Sequence, residues 1–211
     1  MTKNKIKEVA YRHLVEKGYE RATLSSIAKE VGIKTPSIYA FYKSKEDLFI
    51  AVYKDLLLDN QRHVESSLDN LSNGTVKEKL YQILKAICDY HLSEPEKTAA
   101  YMKFTFFLPP TLTDEVRKTF SDLEDILGQM LKGIFSDGIR QGVLKNQPID
   151  DFIAPFLCLM DGIFLELLYH QEEKFKRRVE QTWSIYWNGI YNDHEKAVYS
   201  DESKSSLVET N

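Results

Sequence analysis

An all-α fold of about nine helices is predicted by three features of the 211-residue sequence. Apolar residues recur at helical spacing along nearly the whole chain. Helix starters and stoppers punctuate those stretches: Thr23, Thr35-Pro36, Ser44 and Ser93-Glu94-Pro95 at starts, Gly18, Gly32 and Gly142 at ends. There is no sustained period-2 run and no two-residue hairpin turn, so no strand is predicted.

The first helix is expected over residues 3–17. Ile6, Val9, Ala10 and Leu14 form its inner face, Lys3, Lys5, Lys7 and Arg12 make it basic, and Gly18 ends it. In the second helix, 24–31, Leu24, Ile27, Ala28 and Val31 fall at i, i+3, i+4 and i+7. Thr23 can cap its free N–H groups, and Gly32 suits a left-handed C-cap because it has no Cβ. A third helix over 35–43 opens with Thr35 as N-cap and Pro36 at N1, where the missing N–H costs nothing. Ile38 and Tyr42, four apart, point inward; Ser37, Tyr39, Ala40, Phe41 and Lys43 share the flanks and outer face. Ser44 starts a fourth helix, with Asp47 placed for a capping box. Its apolar face, Leu48, Phe49, Val52, Tyr53 and Leu56, continues weakly to about residue 68. Residues 23–42 thus have the shape helix, glycine turn, helix. On shape alone an ordinary helical hairpin fits as well as a DNA-reading helix-turn-helix.

Residues 70–75 read as a turn. A fifth helix, 76–91, carries Leu80, Ile83, Leu84 and Ile87 on one face. A sixth, 95–107, is dense in aromatics and ends at Pro109-Pro110. A seventh, 113–140, places Val116, Phe120, Leu123, Leu127, Met130, Leu131 and Ile134 inside, and Gly142 closes it. In the eighth, 150–171, 13 of the 17 residues from Phe152 to Leu168 are apolar. A helix apolar nearly all round needs cover on both sides, one of which this chain can supply. The ninth, 172–191, aligns Val179, Trp183, Tyr186, Trp187 and Ile190. Residues 193–211 show no periodicity and read as a disordered tail.

The charge is unevenly placed. Residues 1–54 hold 11 of the 28 Lys and Arg but only six of the 32 Asp and Glu. A basic first quarter on an acidic body is the footprint of a localised anion-binding face. Cys88 and Cys158 make neither a metal spacing nor a disulfide framework and read as small buried hydrophobes. No apolar N-terminal leader is present. The apolar window 152–168 is short for a membrane span and contains Pro155, Asp161 and Glu166, so a cytoplasmic, soluble protein without membrane partners is expected. His13, His63, His91, His170 and His194 share no ligand spacing, and there is no phosphate loop or nucleophile elbow; no enzyme activity, metal or cofactor is expected.

Three runs carry a family resemblance: AlaTyrArgHisLeuValGluLysGlyTyr, AlaThrLeuSerSerIleAlaLysGluValGlyIle and SerIleTyrAlaPheTyrLysSerLysGluAspLeuPhe. Over residues 5–54 the chain resembles the DNA-binding domain of tetracycline-repressor (TetR) family transcriptional regulators. The resemblance implies a homodimer on a palindromic double-stranded DNA operator, released by a small-molecule effector. It implies a three-helix DNA head at 1–54 with its motif at 23–42, and a ligand-binding and dimerisation domain at 55–192. Carried over by position, Thr23 and Tyr39 are phosphate contacts. Thr35, Pro36 and Ser37 stand where base edges are reached, Lys45 is aimed at the backbone, and Tyr42 is a buried aromatic. Pro36 replaces a common Gly, and Phe41 replaces a polar DNA contact and cannot donate a hydrogen bond. With Ala40 also apolar, phosphate contacts by Lys34, Lys43 and Lys45 and DNA shape should carry more of the affinity.

Tyr101, Phe104, Phe107, Phe120, Phe156, Met160 and Phe164 can each be core or line an effector pocket; the resemblance favours a pocket. Asp161 and Glu166 must pair, reach solvent or meet a cationic ligand. The last two helices, with Phe152, Leu159, Ile163, Leu167, Trp183 and Trp187, are the expected dimer interface. The leading reading is a ligand-responsive, DNA-binding repressor. An architectural or cell-cycle DNA binder without inducer, and a protein-binding coactivator with a vestigial head, are the competing ones.

Overall fold

A computed structural model describes residues 2–69, 71, 73–107 and 110–193. Eight α-helices follow in order: α1 Thr2–Arg21, α2 Leu24–Val31, α3 Lys45–Asp69, α4 Val76–Ser93, α5 Pro95–Phe106, α6 Thr113–Arg140, α7 Asp150–Tyr169 and α8 Glu172–Ile190. Two 3-10 turns, Thr35–Ser37 and Pro110–Leu112, complete the list. An isolated antiparallel bridge joins Leu144 and Tyr191. The fold is all-α, as expected. Parts of the turn at 70–75, the break at 109–110 and the tail at 194–211 lie outside the described residues.

Among the described residues the helix count is eight because the expected third helix is not one. Thr35–Ser37 is a 3-10 turn. Ser37 N–H bonds Lys34 O, Ile38 N–H bonds Thr35 O and Phe41 N–H bonds Ile38 O, all three-residue steps; only Tyr42 N–H to Ile38 O spans four. A nine-residue segment is too short to pay the cost of helix nucleation by itself. Its Thr, Ser, Tyr and Phe residues propagate a helix poorly. Lys34, not Thr35, is its N-cap, and no side chain caps it; Pro36 does occupy the first turn. α1 spans Thr2–Arg21, but Gly18, at φ 76° and ψ 166°, is non-helical and ends its long first stretch as expected; a short second stretch follows the kink.

Contacts divide the chain into two compact units. The first comprises residues 1–70 and 85–127, the second 71–84 and 128–211. In the first, Ile6, Val9, Ala10 and Leu14 of α1 meet Ile27, Ala28 and Val31 of α2, together with Ile38 and Tyr42. Leu48, Phe49, Val52 and Tyr53 of α3 and Ala100 and Phe104 of α5 close the same core. Each fully buried large side chain here contributes about 1.5–3 kcal/mol. Tyr53 packs on Phe104 at 4.9 Å between ring centroids. A polar chain runs beside this core. Thr98 donates its hydroxyl to the His91 carbonyl, so its oxygen accepts from His91 Nδ1 at 3.0 Å, and His91 Nε2 is left to accept from Asn60. Burial pushes the His91 imidazole down to about 4.

The second unit is built on aromatics. Phe135 stacks on Phe152 at 5.4 Å and meets Phe156 edge-on at 6.2 Å. Trp183 lies 5.8 Å from Trp187, and Tyr186 donates its hydroxyl to the Phe152 carbonyl at 2.8 Å. Gly138 lets Leu144 close over α6, since a Cβ there would meet Leu144 Cδ1 at 2.5 Å.

Several expectations need correction. Of the seven residues placed inside along α6, only Leu131 is fully buried, with Phe135 and Gly138 beside it. Cys158 is exposed, whereas Cys88 is buried. Glu166 pairs with Arg178 and with His170 at 3.1 Å and Asp161 reaches solvent, so both meet the expectation of pairing or exposure; partial desolvation raises the Asp161 carboxyl. α7 is, by length and composition, apolar enough to cross a membrane, contrary to the short-window expectation; only 22% of its apolar window is buried.

Candidate nucleic-acid interface

The stretch 23–45 is assembled from caps outward. Thr23 has extended backbone, φ −99° and ψ 147°, and its Oγ1 accepts the Ser26 N–H at 3.1 Å. At the other end of α2, Gly32 sits in the left-handed region at φ 83°, and its N–H bonds the carbonyls of Ala28 and Lys29. Lys5 of α1 adds a donor to the Val31 carbonyl at 3.2 Å. Both sequence-predicted caps of α2 are therefore in place.

α2 is also tied to α1 by a buried histidine. Ser26 Oγ donates to the Thr23 carbonyl at 2.8 Å and lies 3.2 Å from His13 Nδ1. His13 Nε2 lies 2.7 Å from Glu30 Oε2, and Arg12 binds the other carboxylate oxygen at 2.8 Å. The hydrogen bond from His13, reinforced by the charges of Arg12 and Lys17, holds the Glu30 carboxyl below its ordinary value. His13 is 1% exposed. Local spacing gave no sign of this network, because its members come from two helices.

The 3-10 turn is fastened from below. Ile38 is 0% exposed and Tyr42 3%, and the Tyr42 hydroxyl reaches the Lys3 carbonyl at 3.4 Å. The exit is a capping box displaced by one residue. Asp47 N–H donates to Ser44 Oγ at 3.1 Å, and Asp47 Oδ2 accepts the Lys43 N–H at 2.8 Å. With Ile38 and Tyr42 inward, the rest of the turn faces out. Lys34, Pro36, Ser37, Ala40 and Lys43 are exposed, Tyr39 is 56% exposed and Phe41 41%; Thr35 is half-buried. Thr23 is exposed at the start of α2.

The three lysines are not equivalent. Lys34 and Lys43 make no side-chain hydrogen bond or ion pair among the described residues. Lys45 is half-buried, sits 4.1 Å above the Tyr19 ring and donates to the Glu20 carbonyl at 3.4 Å. Chemically, the surface offers two free ammonium groups, hydroxyls of Ser37 and Tyr39, and an apolar patch of Pro36, Ala40 and Phe41, while the Thr23 hydroxyl is engaged with Ser26. Cations and hydroxyls suit phosphate oxygens, and an apolar patch suits a thymine methyl or a sugar.

The candidate ligand and interface residues are dispersed. Tyr101, Phe104, Phe107 and Phe120 belong to the first unit, and Phe156, Met160 and Phe164 to the second. Phe104 and Phe156 are core, at 1% and 0% exposure, while Phe107 is 77% exposed. Phe107 instead borders a cavity of about 320 Å³ with Leu14, Gly18, Tyr19 and Lys103. Of the expected interface residues, Phe152, Ile163, Trp183 and Trp187 are buried by the chain itself, and Leu159 and Leu167 are half-buried. A helix apolar all round gives no phase, so periodicity could not choose its inner face. The outer face actually carries Ala154, Cys158, Leu165 and Leu168, with Ile185 of α8 76% exposed. A groove of about 510 Å³ runs between α7 and α8, floored by Leu159, Ile163 and Val179 and edged by the Glu166–Arg178 pair.

Comparison with known proteins places this geometry in context. Residues 6–52 match the family described as bacterial regulatory proteins, tetR family. The chain is 30% identical over 188 residues to the nucleoid occlusion factor SlmA of Mannheimia succiniciproducens, covering 83% of this chain and 78% of that protein. A TetR transcription regulator from Haloarcula marismortui superposes with a TM-score of 0.73 at 23% identity, covering 90% of this chain and 98% of the other. The transcriptional regulator FadR from Bacillus subtilis, in complex with stearoyl-CoA, superposes at 0.70 with 19% identity, covering 89% and 98%.

Proposed function

Since the chain belongs to the TetR family of DNA-binding transcriptional regulators, we propose that it is a cytoplasmic, homodimeric repressor that leaves a palindromic operator when a small lipophilic molecule binds. The single observation that carries the DNA half of this reading is the outward turn. Lys34, Ser37, Tyr39, Phe41 and Lys43 are held out by the buried anchors Ile38 and Tyr42, in the most basic quarter of the sequence. In this reading residues 1–54 are the DNA head, and Thr23, Thr35, Pro36, Ala40 and Lys45 flank or support its contact surface. Residues 55–192 bind the effector and dimerise.

The unpartnered outer face of α7 and α8 supports the dimer. A second copy laid on it would cover Ala154, Cys158, Leu165, Leu168 and Ile185 and complete a four-helix bundle. A lipophilic effector accords with the stearoyl-CoA bound by the FadR relative and with the aromatic content of α5 to α7. Within the second unit, Met160 and Phe164, both half-buried, are the candidates left to touch it.

A second reading is favoured by one observation. The SlmA relative is named a nucleoid occlusion factor, so this chain would act on DNA architecture without an inducer. Electrophoretic shift against operators selected from a random-sequence pool tests both. A repressor gives a discrete shift on a palindrome that a lipophilic compound abolishes. An architectural binder keeps its shift with every compound of a broad panel, and no selected sequence at all contradicts the DNA-binding reading.

A further inference from the structure

At the junction of α1 and α5 one ammonium serves two places. Gly18 has non-helical backbone, φ 76° and ψ 166°, and breaks α1 one turn after the Leu14 and Val15 carbonyls. Carbonyls at a helix end need donors from elsewhere, and a cation there also meets the negative end of the helix dipole. Lys103 of α5 supplies both: its Nζ donates to Leu14 O at 3.2 Å and to Val15 O. An ammonium has three N–H groups, and these bonds use two.

Lys103 also borders the 320 Å³ cavity. It is half-buried, both its partners are neutral carbonyls, and no carboxylate pairs with it among the described residues. A half-buried ammonium with an unused N–H and no counter-ion is free to take an anionic partner. The remaining lining is Leu14, Gly18, Tyr19 and Phe107. Tyr19 presents its ring, because its hydroxyl is committed to Glu46 at 3.1 Å. The cavity therefore offers apolar walls and one positive group. Its volume lies at the low end of small-molecule sites, ~300–1,000 Å³.

We propose that this cavity binds an amphiphile made of a single apolar chain ending in one anionic group, with the anion on Lys103 Nζ and the chain between Leu14, Tyr19 and Phe107. Phe107, 77% exposed at the rim, gains cover when the chain is bound. The site is independent of the proposed repressor function in its chemistry and deepens it in consequence. Ligand and α1 share one ammonium, so the occupant touches the helix that carries the His13 tie to α2.

Calorimetric titration of the full chain without DNA tests the site, so its outcome is separate from that of any operator measurement. The probes are decanoate, decyl phosphate, decanol and decylammonium, each below its aggregation concentration. The expected result is that at least one anion binds at least tenfold more tightly than decanol, with decylammonium weakest; the tighter anion identifies the head group as carboxylate or phosphate. Lys103→Met should erase the preference for the anion, Lys103→Arg should keep it, and Phe107→Ala should weaken the preferred anion and decanol alike by severalfold. An anion no tighter than decanol in the wild type overturns the proposal, as does a preference that survives in Lys103→Met. Should Lys103→Met not fold, Phe107→Ala decides: unchanged affinity for the preferred anion refutes the site.

Discussion

Two histidines show how differently one residue type is used. His13 has both ring nitrogens against oxygens, Ser26 Oγ and Glu30 Oε2, and it joins α1 to α2, the helix before the exposed 3-10 turn. His91 is buried with a hydroxyl and an amide and is held neutral, its pKa pushed down to about 4 by burial. Between about 6.5 and 4 the unfolded chain binds a proton that the folded one refuses. Stability from this group is therefore complete above 6.5 and is lost as pH falls towards 4, by up to about 3 kcal/mol. Urea unfolding of wild type and His91→Gln across this window should show the wild type losing more; parallel curves would remove His91 as the cause. Neither role was readable beforehand. The sequence shows spacing along the chain, and both histidines act across it.

Among the elements, α2 was the most legible and the 3-10 turn the least. α2 has a clear apolar stripe, a Thr cap and a Gly stop, and each appears where expected. Ile27 is 0% exposed, so Ile27→Ala should cost about 2–5 kcal/mol in chemical denaturation. Thr23→Ala, which removes a cap bond, should cost about 1 kcal/mol. A loss for Ile27→Ala no larger than that for Thr23→Ala would contradict this packing. In the turn, Ile38 and Tyr42 were correctly read as inward because their spacing holds in either helical form, although the helix itself did not extend. α7 failed for another reason. Thirteen apolar residues in 17 carry no direction, so Phe152 and Ile163 were assigned outward when they face the core. The break at Gly18 is legible in the sequence, but the Lys103 ammonium beside it is not, since residue 103 lies far from residue 15 in sequence.

For the whole molecule, the charge division was visible from composition alone, and the structure gives it a surface in the turn that exposes Lys34 and Lys43. The outer face of α7, apolar except for Asp161, is the complementary feature, with Ile185 exposed on α8. Light scattering should return twice the 24.5 kDa chain mass. Leu165→Glu with Ile185→Glu, both on exposed positions, should shift the protein to a folded monomer without disturbing its core. A wild-type monomer, or a double variant that remains dimeric, would rule out this face. Cys158 offers a parallel reading: its thiol should resist alkylation in the dimer and react once the double variant has separated the chains.

The most direct test is the salt dependence of operator binding for the wild type and for Lys34→Ala with Lys43→Ala. Each phosphate contact contributes about one to the slope of log affinity against log salt, so two lysines from each of two chains should lower it by about four. The double variant should bind more weakly on every sequence, with specificity retained and the slope reduced by that amount. An unchanged affinity and an unchanged slope would contradict the assignment of this turn as the surface that meets DNA.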